Sequence, residues 1–169
     1  MTAISAGPPS GPRLRFGSLE HRTLPNSRFQ VQVTLRDREN QPFMGTAEGT
    51  NLAEGRMRAG AEATMQALAS YLDGTLALSF RGARTIRSFD SYVVVVALRA
   101  HSGERARSQG EEPEGLSLIG CVAISDRNLA QGAALAVLNA SNRIMERPVA
   151  APAPREGGDA GAESRTGDP

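Results

Sequence analysis

The sequence predicts an α+β fold, a two-layer sandwich in the order β-β-α-β-β-β-α with two halves related by a pseudo-twofold axis. A short phrase occurs twice, as NLAEG at residues 51–55 and as NLAQG at residues 128–132. Each copy follows a β-prone stretch and opens an Ala-rich run whose apolar residues have helical spacing. Two helices with apolar faces and about five strands fit two packed layers.

Composition divides the 169-residue chain into one domain and two flanking segments. Residues 1–28 are rich in Gly, Pro, Ser and Arg, and we expect a mostly disordered arm. Leu14, Phe16 and Leu19 could attach a short piece of that arm to the domain. The domain covers residues 29–147, and residues 148–169 form a Pro/Ala/Gly-rich tail that we expect to be disordered.

Charge and cysteine content indicate a cytoplasmic protein without a membrane segment. The net charge is +1, so no overall field draws the chain to nucleic acid or membrane. No apolar run approaches the ~20 residues of a membrane-spanning helix. The single cysteine, Cys121, excludes a disulfide within one chain and fits a reducing compartment. We expect Cys121 to be a small, buried core residue.

The first half contains a hairpin and a helix. Residues 29–36 alternate between apolar and polar side chains, which is typical of a half-buried strand, and residues 43–49 return as its partner. The helix should begin with Asn51 as N-cap and Glu54 completing a capping box. Gly74 is suited to the left-handed conformation that ends it.

The second half contains three strands and a helix. A phase change near Gly82 predicts a bulge or bend within residues 75–89. The four consecutive valines at 93–96 predict a central strand that is covered on both faces. Residues 102–115 should form an exposed hairpin loop before the strand at 116–124. Asn128 is the expected N-cap of the second helix.

The second helix is apolar on more than one side, so it lies either deep in the core or at a subunit interface. In a small domain we favour the interface. The predicted partner is a second copy of the chain, and the predicted interface residues are Leu135, Ala136, Val137 and Leu138.

No catalytic signature is present, and we predict a non-enzyme with no cofactor and no metal. His21 and His101 do not have the spacing of a metal pair. There is no Gly-rich phosphate loop and no nucleophile elbow. A polar turn between two strands accounts for Ser88, Asp90 and Ser91.

The repeated phrase is the best candidate for a binding site. Two helix N-termini with a glycine in the first turn could receive a small amino acid or carboxylate. The predicted ligand-binding residues are Asn51, Gly55, Asn128 and Gly132. Duplication of a helix cap accounts for the same repeat without a ligand.

An Arg-mediated, nucleic-acid-associated accessory protein is the alternative function. It would use Arg81, Arg84 and Arg87 together with the basic N-terminal arm. The balanced net charge and the small number of aromatic residues offer neither a strong phosphate field nor a stacking platform. We therefore do not expect nucleic acid to be the main partner.

Two stretches, GTAEGTNLAEGRMRAGAEATMQAL and GCVAISDRNLAQGAALAVLNASNRIM, carry a family resemblance. They resemble the helix-entry segments of the C-terminal regulatory (dimerisation) domain of 2-isopropylmalate synthases, most closely over residues 136–143. The resemblance covers about residues 29–147. It implies two strand-strand-helix units with pseudo-twofold symmetry, a dimer, and leucine as a feedback inhibitor. Because the catalytic barrel is absent, it implies a free-standing dimerisation, small-metabolite-sensing or protein-interaction module.

Overall fold

A computed structural model describes residues 13–74, 76–102, 115–124 and 128–145. The elements are β1 (Arg15–Leu24), β2 (Arg28–Arg36), β3 (Pro42–Thr50), α1 (Ala53–Leu72), β4 (Leu76–Ser88), β5 (Ser91–Ser102), β6 (Leu116–Ile124) and α2 (Leu129–Met145). Three strands followed by a helix thus occur twice, and we call these the first and second units. The α+β class is confirmed, with one strand more than predicted.

Each unit has its own antiparallel sheet. The first sheet has the order β1-β2-β3 and the second sheet the order β4-β5-β6. Helix α1 packs on β3 and β2, α2 packs on β6 and β5, and the two helices pack against each other. The hydrophobic core therefore lies between the pair of helices and the inner faces of the two sheets.

Strand β2 shows how the alternating pattern builds this core. Phe29, Val31, Val33 and Leu35 are buried, while Gln30 and Gln32 lie on the other side. Burying each such apolar side chain contributes about 1.5–3 kcal/mol. The predicted half-buried strand and its hairpin with β3 are confirmed.

Strand β1 corrects the expectation that residues 1–28 are mostly disordered. It pairs with β2 over its whole length, from Arg15 opposite Arg36 to Leu24 opposite Arg28. Most of its side chains are exposed, so backbone pairing holds it in place and the sequence shows little apolar periodicity. The buried Leu14 anchors its start, and the Leu14 carbonyl accepts a hydrogen bond from Asn142 Nδ2 at 3.2 Å. Residues 1–12 and the tail at 148–169 lie outside the described residues.

Each sheet approaches its helix closely through a glycine of its third strand. A Cβ on Gly45 would overlap the carbonyl oxygen of Ala63 in α1, and a Cβ on Gly120 would overlap that of Ala136 in α2. Only glycine permits backbone approach at this distance. These two contacts fix the depth at which each helix lies on its sheet.

Candidate functional site

The first helix entry is not the cap that the sequence predicts. Leu52 occupies the N-cap position and makes no side-chain capping hydrogen bond, so the predicted capping box of Asn51 and Glu54 is wrong. Asn51 Oδ1 instead accepts a hydrogen bond from Arg56 Nε at 2.9 Å. The Arg56 guanidinium lies 5.1 Å from the ring centroid of Phe29, a cation–π distance. Asn51 therefore positions an arginine against a core aromatic ring.

The second helix entry is a true cap. Asn128 Oδ1 accepts a hydrogen bond from the backbone N–H of Gln131 at 3.3 Å, as predicted. The Gln131 side chain returns to the Asn128 side chain, accepting from Nδ2 at 3.0 Å. The same phrase thus has two different local structures in the two units.

The glycines of the repeated phrase contact the protein's own atoms. A Cβ on Gly55 would overlap Thr50 Oγ1. A Cβ on Gly132 would lie 2.8 Å from Val94 Cγ2 and 2.9 Å from Ile124 Cγ2. Packing against the preceding strand and the sheet accounts for both glycines. Ligand binding by Asn51, Gly55, Asn128 and Gly132 stays a prediction.

The predicted interface on α2 is corrected by its burial. Ala136 and Val137 are fully inaccessible in the single chain, Leu138 is buried, and Leu135 is half-buried. The helix contacts β6, β5, α1 and β1, so its broad apolar surface serves the core of the same chain. Helix α2 is therefore apolar on more than one side because it lies deep in the core of its own chain.

The uncovered apolar surface lies on the second sheet instead. Val94, Val96 and Leu98 of β5 are buried on the helix side, so the alternating residues form the opposite side, which we call the outer face. Strand register places these residues in rows across β4, β5 and β6. The apolar rows are Ile86-Val93-Ala123, Arg84-Val95-Cys121 and Gly82-Ala97-Ile119. Strand β5 is the central strand of its sheet, as predicted. Its outer-face residues Val93, Val95 and Ala97 are only half-buried, and Ile86 and Ile119 beside them are 49% and 63% exposed, so the predicted cover on both faces is wrong.

Cys121 lies in the middle of this outer face. It is exposed, not buried as the sequence analysis expected, because register places it beside Val95 on the side away from α2. Gly120 and Ile124 of the same strand are buried on the side that packs against α2. Apolar residues lie on both sides of β6, but within the described part of the chain a helix layer packs on only one of them.

The second sheet is also rich in arginine. Its strands contain Arg81, Arg84, Arg87 and Arg99 and no Asp or Glu. Arg84 pairs with Val95 on the outer face, whereas Arg87 pairs with Tyr92 on the helix side. The predicted basic strip is therefore divided between two faces, which weakens the nucleic-acid alternative.

One nucleophile-base contact, which the sequence analysis missed, lies at the polar end of the outer face. Ser79 Oγ is 3.4 Å from His101 Nε2, and cross-strand register brings the two residues together. Nδ1 of His101 is buried, and no group among the described residues bonds it. A Ser-His pair acts as a nucleophile when a third group orients the base, and the described part of the chain supplies none.

Other kinds of site are not found in the described ranges. No group of three or more His, Cys, Asp or Glu side chains is placed to hold a metal ion among these residues. Neither α1 nor α2, the two helices described, combines the length and apolarity needed to cross a membrane. No protein-family model matches the chain, and no curated protein matches it.

Proposed function

We propose that this chain is a non-catalytic homodimerisation module that associates through the outer face of its second sheet. One observation carries the proposal: seven apolar side chains lie in three adjacent rows on a sheet face that no element of the described chain covers. Contiguous exposed apolar surface of this kind marks interaction sites. The resemblance to a dimerisation domain supports the same conclusion.

A second copy of the chain is the occupant that suits the surface. The side chains are Val, Ala, Ile and Cys, which are uncharged and small to medium in size. Two sheet faces pack well on each other at about 10 Å, and a twofold axis makes one patch serve both partners. Arg84 at the side of the face can extend its guanidinium to water.

The proposal includes a reducing, cytoplasmic location. Cys121 is an exposed free thiol at the centre of the proposed interface. Such a thiol is compatible with a reducing compartment, where it stays unpaired.

Matched substitutions on the two sheets test the interface. Ile119 on β6 and Thr46 on β3 are both exposed and pair with the central strand of their sheets, with Ala97 and Gln32 respectively. We expect wild type and Thr46→Asp to have the mass of a dimer in light scattering, and Ile119→Asp to have that of a folded monomer. A monomeric wild type at high concentration, or a dimeric Ile119→Asp, would contradict the proposal.

The single cysteine gives an independent measurement. Because the chain has no other thiol, a short bismaleimide can join two copies only through Cys121. We expect rapid covalent dimer formation in wild type and in Thr46→Asp, and slow formation in Ile119→Asp. Equal rates in all three proteins would show that the outer faces do not meet.

A further inference from the structure

We propose that a cleft beside the bulge of β4 binds a small organic anion with an apolar body, a monocarboxylate with an aromatic or branched aliphatic group. The cleft has a volume of about 540 Å³, within the range of small-molecule sites. The register of β4 against β5 shifts between Phe80 and Gly82, so the extra residue, Arg81, has no cross-strand partner. Bulges of this kind redirect a side chain and occur beside functional sites.

The charges around the cleft favour an anion. Arg58, Arg81 and Arg84 line it, with Glu54 as the one carboxylate among its lining residues. Within the described part of the chain, no hydrogen bond or ion pair engages the side chains of Arg81 or Arg84. Two guanidiniums that no described group engages can bind a carboxylate through charge-assisted hydrogen bonds.

Arg58 forms one wall and is held in place by its neighbours. Its Nε donates a hydrogen bond to Glu62 Oε1 at 2.7 Å. Its guanidinium carbon lies 5.8 Å from the ring centroid of Phe80. The hydrogen bond and the charge of Glu62 raise the pKa of Arg58 above its ordinary value. This arginine therefore contributes a positive charge to the wall of the cleft, and Arg81 and Arg84 are the groups with no bond to another described residue.

The rest of the lining is apolar. Phe80, Val95 and Ala97 contribute carbon surface beside the arginines. A fully hydrated anion such as inorganic phosphate would leave this surface unused. A monocarboxylate with an aromatic or branched aliphatic group satisfies both parts of the cleft, since its charge meets Arg81 and Arg84 and its carbon body covers the apolar residues.

Gly82 keeps the cleft open and provides a variant that closes it. Nothing lies within 4 Å of a Cβ built on Gly82, so the Cβ of a larger side chain at this position contacts no other protein atom. Gly82→Leu should therefore fill the cleft without disturbing the fold, and it is compared in the Ile119→Asp background because Gly82 also lies in a row of the outer face. Ala77→Leu is the matched control, because Ala77 lies on the same strand, is exposed, and does not line the cleft.

The test measures melting temperature and calorimetric binding with isovalerate, hexanoate and phenylacetate at low salt, each beside its neutral amide. A ligand that binds only the folded state raises the melting temperature with the logarithm of its concentration. We expect at least one acid to bind saturably and its amide not to bind. Arg81→Gln and Arg84→Gln should each weaken binding about tenfold, Gly82→Leu should abolish it, and Ala77→Leu should bind as wild type.

Several results would overturn the inference. The inference is wrong if none of the acids binds, if an acid and its amide bind equally well, or if Gly82→Leu binds the acid as wild type does. It is also wrong if inorganic phosphate or a short oligonucleotide displaces the bound acid at a lower concentration than the acid itself needs to bind. Gly82, Arg84, Val95 and Ala97 belong both to the cleft and to the outer face, so the titration is also made on the Ile119→Asp monomer, in which the dimer contact is lost and every cleft residue is intact. Binding to a monomeric wild type would refute the dimer and keep the cleft.

Discussion

The two units have the same order of elements, but their sheets differ on the side that faces away from the helices. This outer face is polar on the first sheet and apolar on the second. On the first sheet, the central strand places Gln30, Gln32 and Thr34 opposite Glu48, Thr46 and Met44 of β3. On the second sheet, the central strand places Val93, Val95 and Ala97 opposite Ala123, Cys121 and Ile119 of β6. The inner faces of both sheets are buried and apolar. The helices thus constrain only one side of each sheet, and the other side differs between the two units.

The shared features of the two units are packing features. Counted from the repeated phrase, Thr64 of α1 and Ser141 of α2 occupy the same place. Both are fully buried, and each hydroxyl donates to the carbonyl four residues earlier, of Gly60 and Val137 respectively, at 2.8 Å. This local bond satisfies a buried hydroxyl without any other partner. What the units keep in common supports the fold, so their differences are the place to look for function.

The largest effect on stability is expected from a comparison of two valines of the second unit. Val137 is fully buried, whereas Val95 is on the outer face. Val137→Asp places a charge in the core without a partner and should destabilise the fold by about 3–5 kcal/mol. Val95→Asp should change the stability of the monomer by less than about 1 kcal/mol and prevent dimer formation. Urea titration with mass measurement distinguishes them, and equal losses of stability would show that the two faces are wrongly assigned.

The second prediction tests whether the two units pack their helices in the same way. Gly45→Ala and Gly120→Ala each force a methyl group onto a helix carbonyl and should cost about 3 kcal/mol. Gly82→Ala, where the space is open, is the control and should be nearly neutral. Denaturant midpoints measure all three. If Gly120→Ala were as stable as Gly82→Ala, α2 would not lie against β6 at this depth.

The third prediction separates the two copies of the repeated phrase. Asn128→Ala removes a helix cap and should cost about 1 kcal/mol. Asn51→Ala removes only a side-chain bond to Arg56 and should cost about half as much. Asn→Asp retains a cap acceptor, so Asn128→Asp should restore most of the loss. Equal losses in the two alanine variants would mean that both phrases act as caps.

The sequence predicted features that follow from local pattern. The alternation of β2, the bulge near Gly82 and the cap at Asn128 were all visible as periodicity or as a residue type with one use. Strand β1 was not, because its backbone hydrogen bonds with β2 leave no trace in its own side chains. Periodicity shows that β6 has two apolar sides and cannot show which of them a helix covers.

The site was harder to predict for related reasons. Asn51 and Asn128 begin the same phrase, but the residue after the phrase is Arg56 in the first copy and Ala133 in the second. Only the first copy therefore offers its asparagine a guanidinium donor, and only the second asparagine acts as a helix cap. The cleft depends on residues from α1, β4 and β5 that only the folded chain brings together. The sequence shows two of its arginines, Arg81 and Arg84, as a charge run, and it predicts that the four valines at 93–96, Val95 among them, are covered on both faces.

The last prediction concerns the hairpin turns. The β1–β2 turn places Asn26 and Ser27, two small polar residues, in the left-handed region at φ 59° and 54°, whereas the β4–β5 turn places the bulky Phe89 there at φ 53°. Phe89 is 95% exposed, so the second unit accepts both backbone strain and an uncovered aromatic ring. Phe89→Gly should relieve the strain and raise the stability of the monomer by about 1 kcal/mol.

The same variant tests whether Phe89 contributes to the proposed dimer interface. The turn adjoins the row of the outer face that begins with Ile86, so a partner on that face can reach the ring. If Phe89→Gly melts at a higher temperature as an Ile119→Asp monomer but dissociates more readily in the wild-type background, the strained turn serves the interface. If it strengthens both, the turn has no part in association, and the dimer contact lies further along the rows toward Ile119.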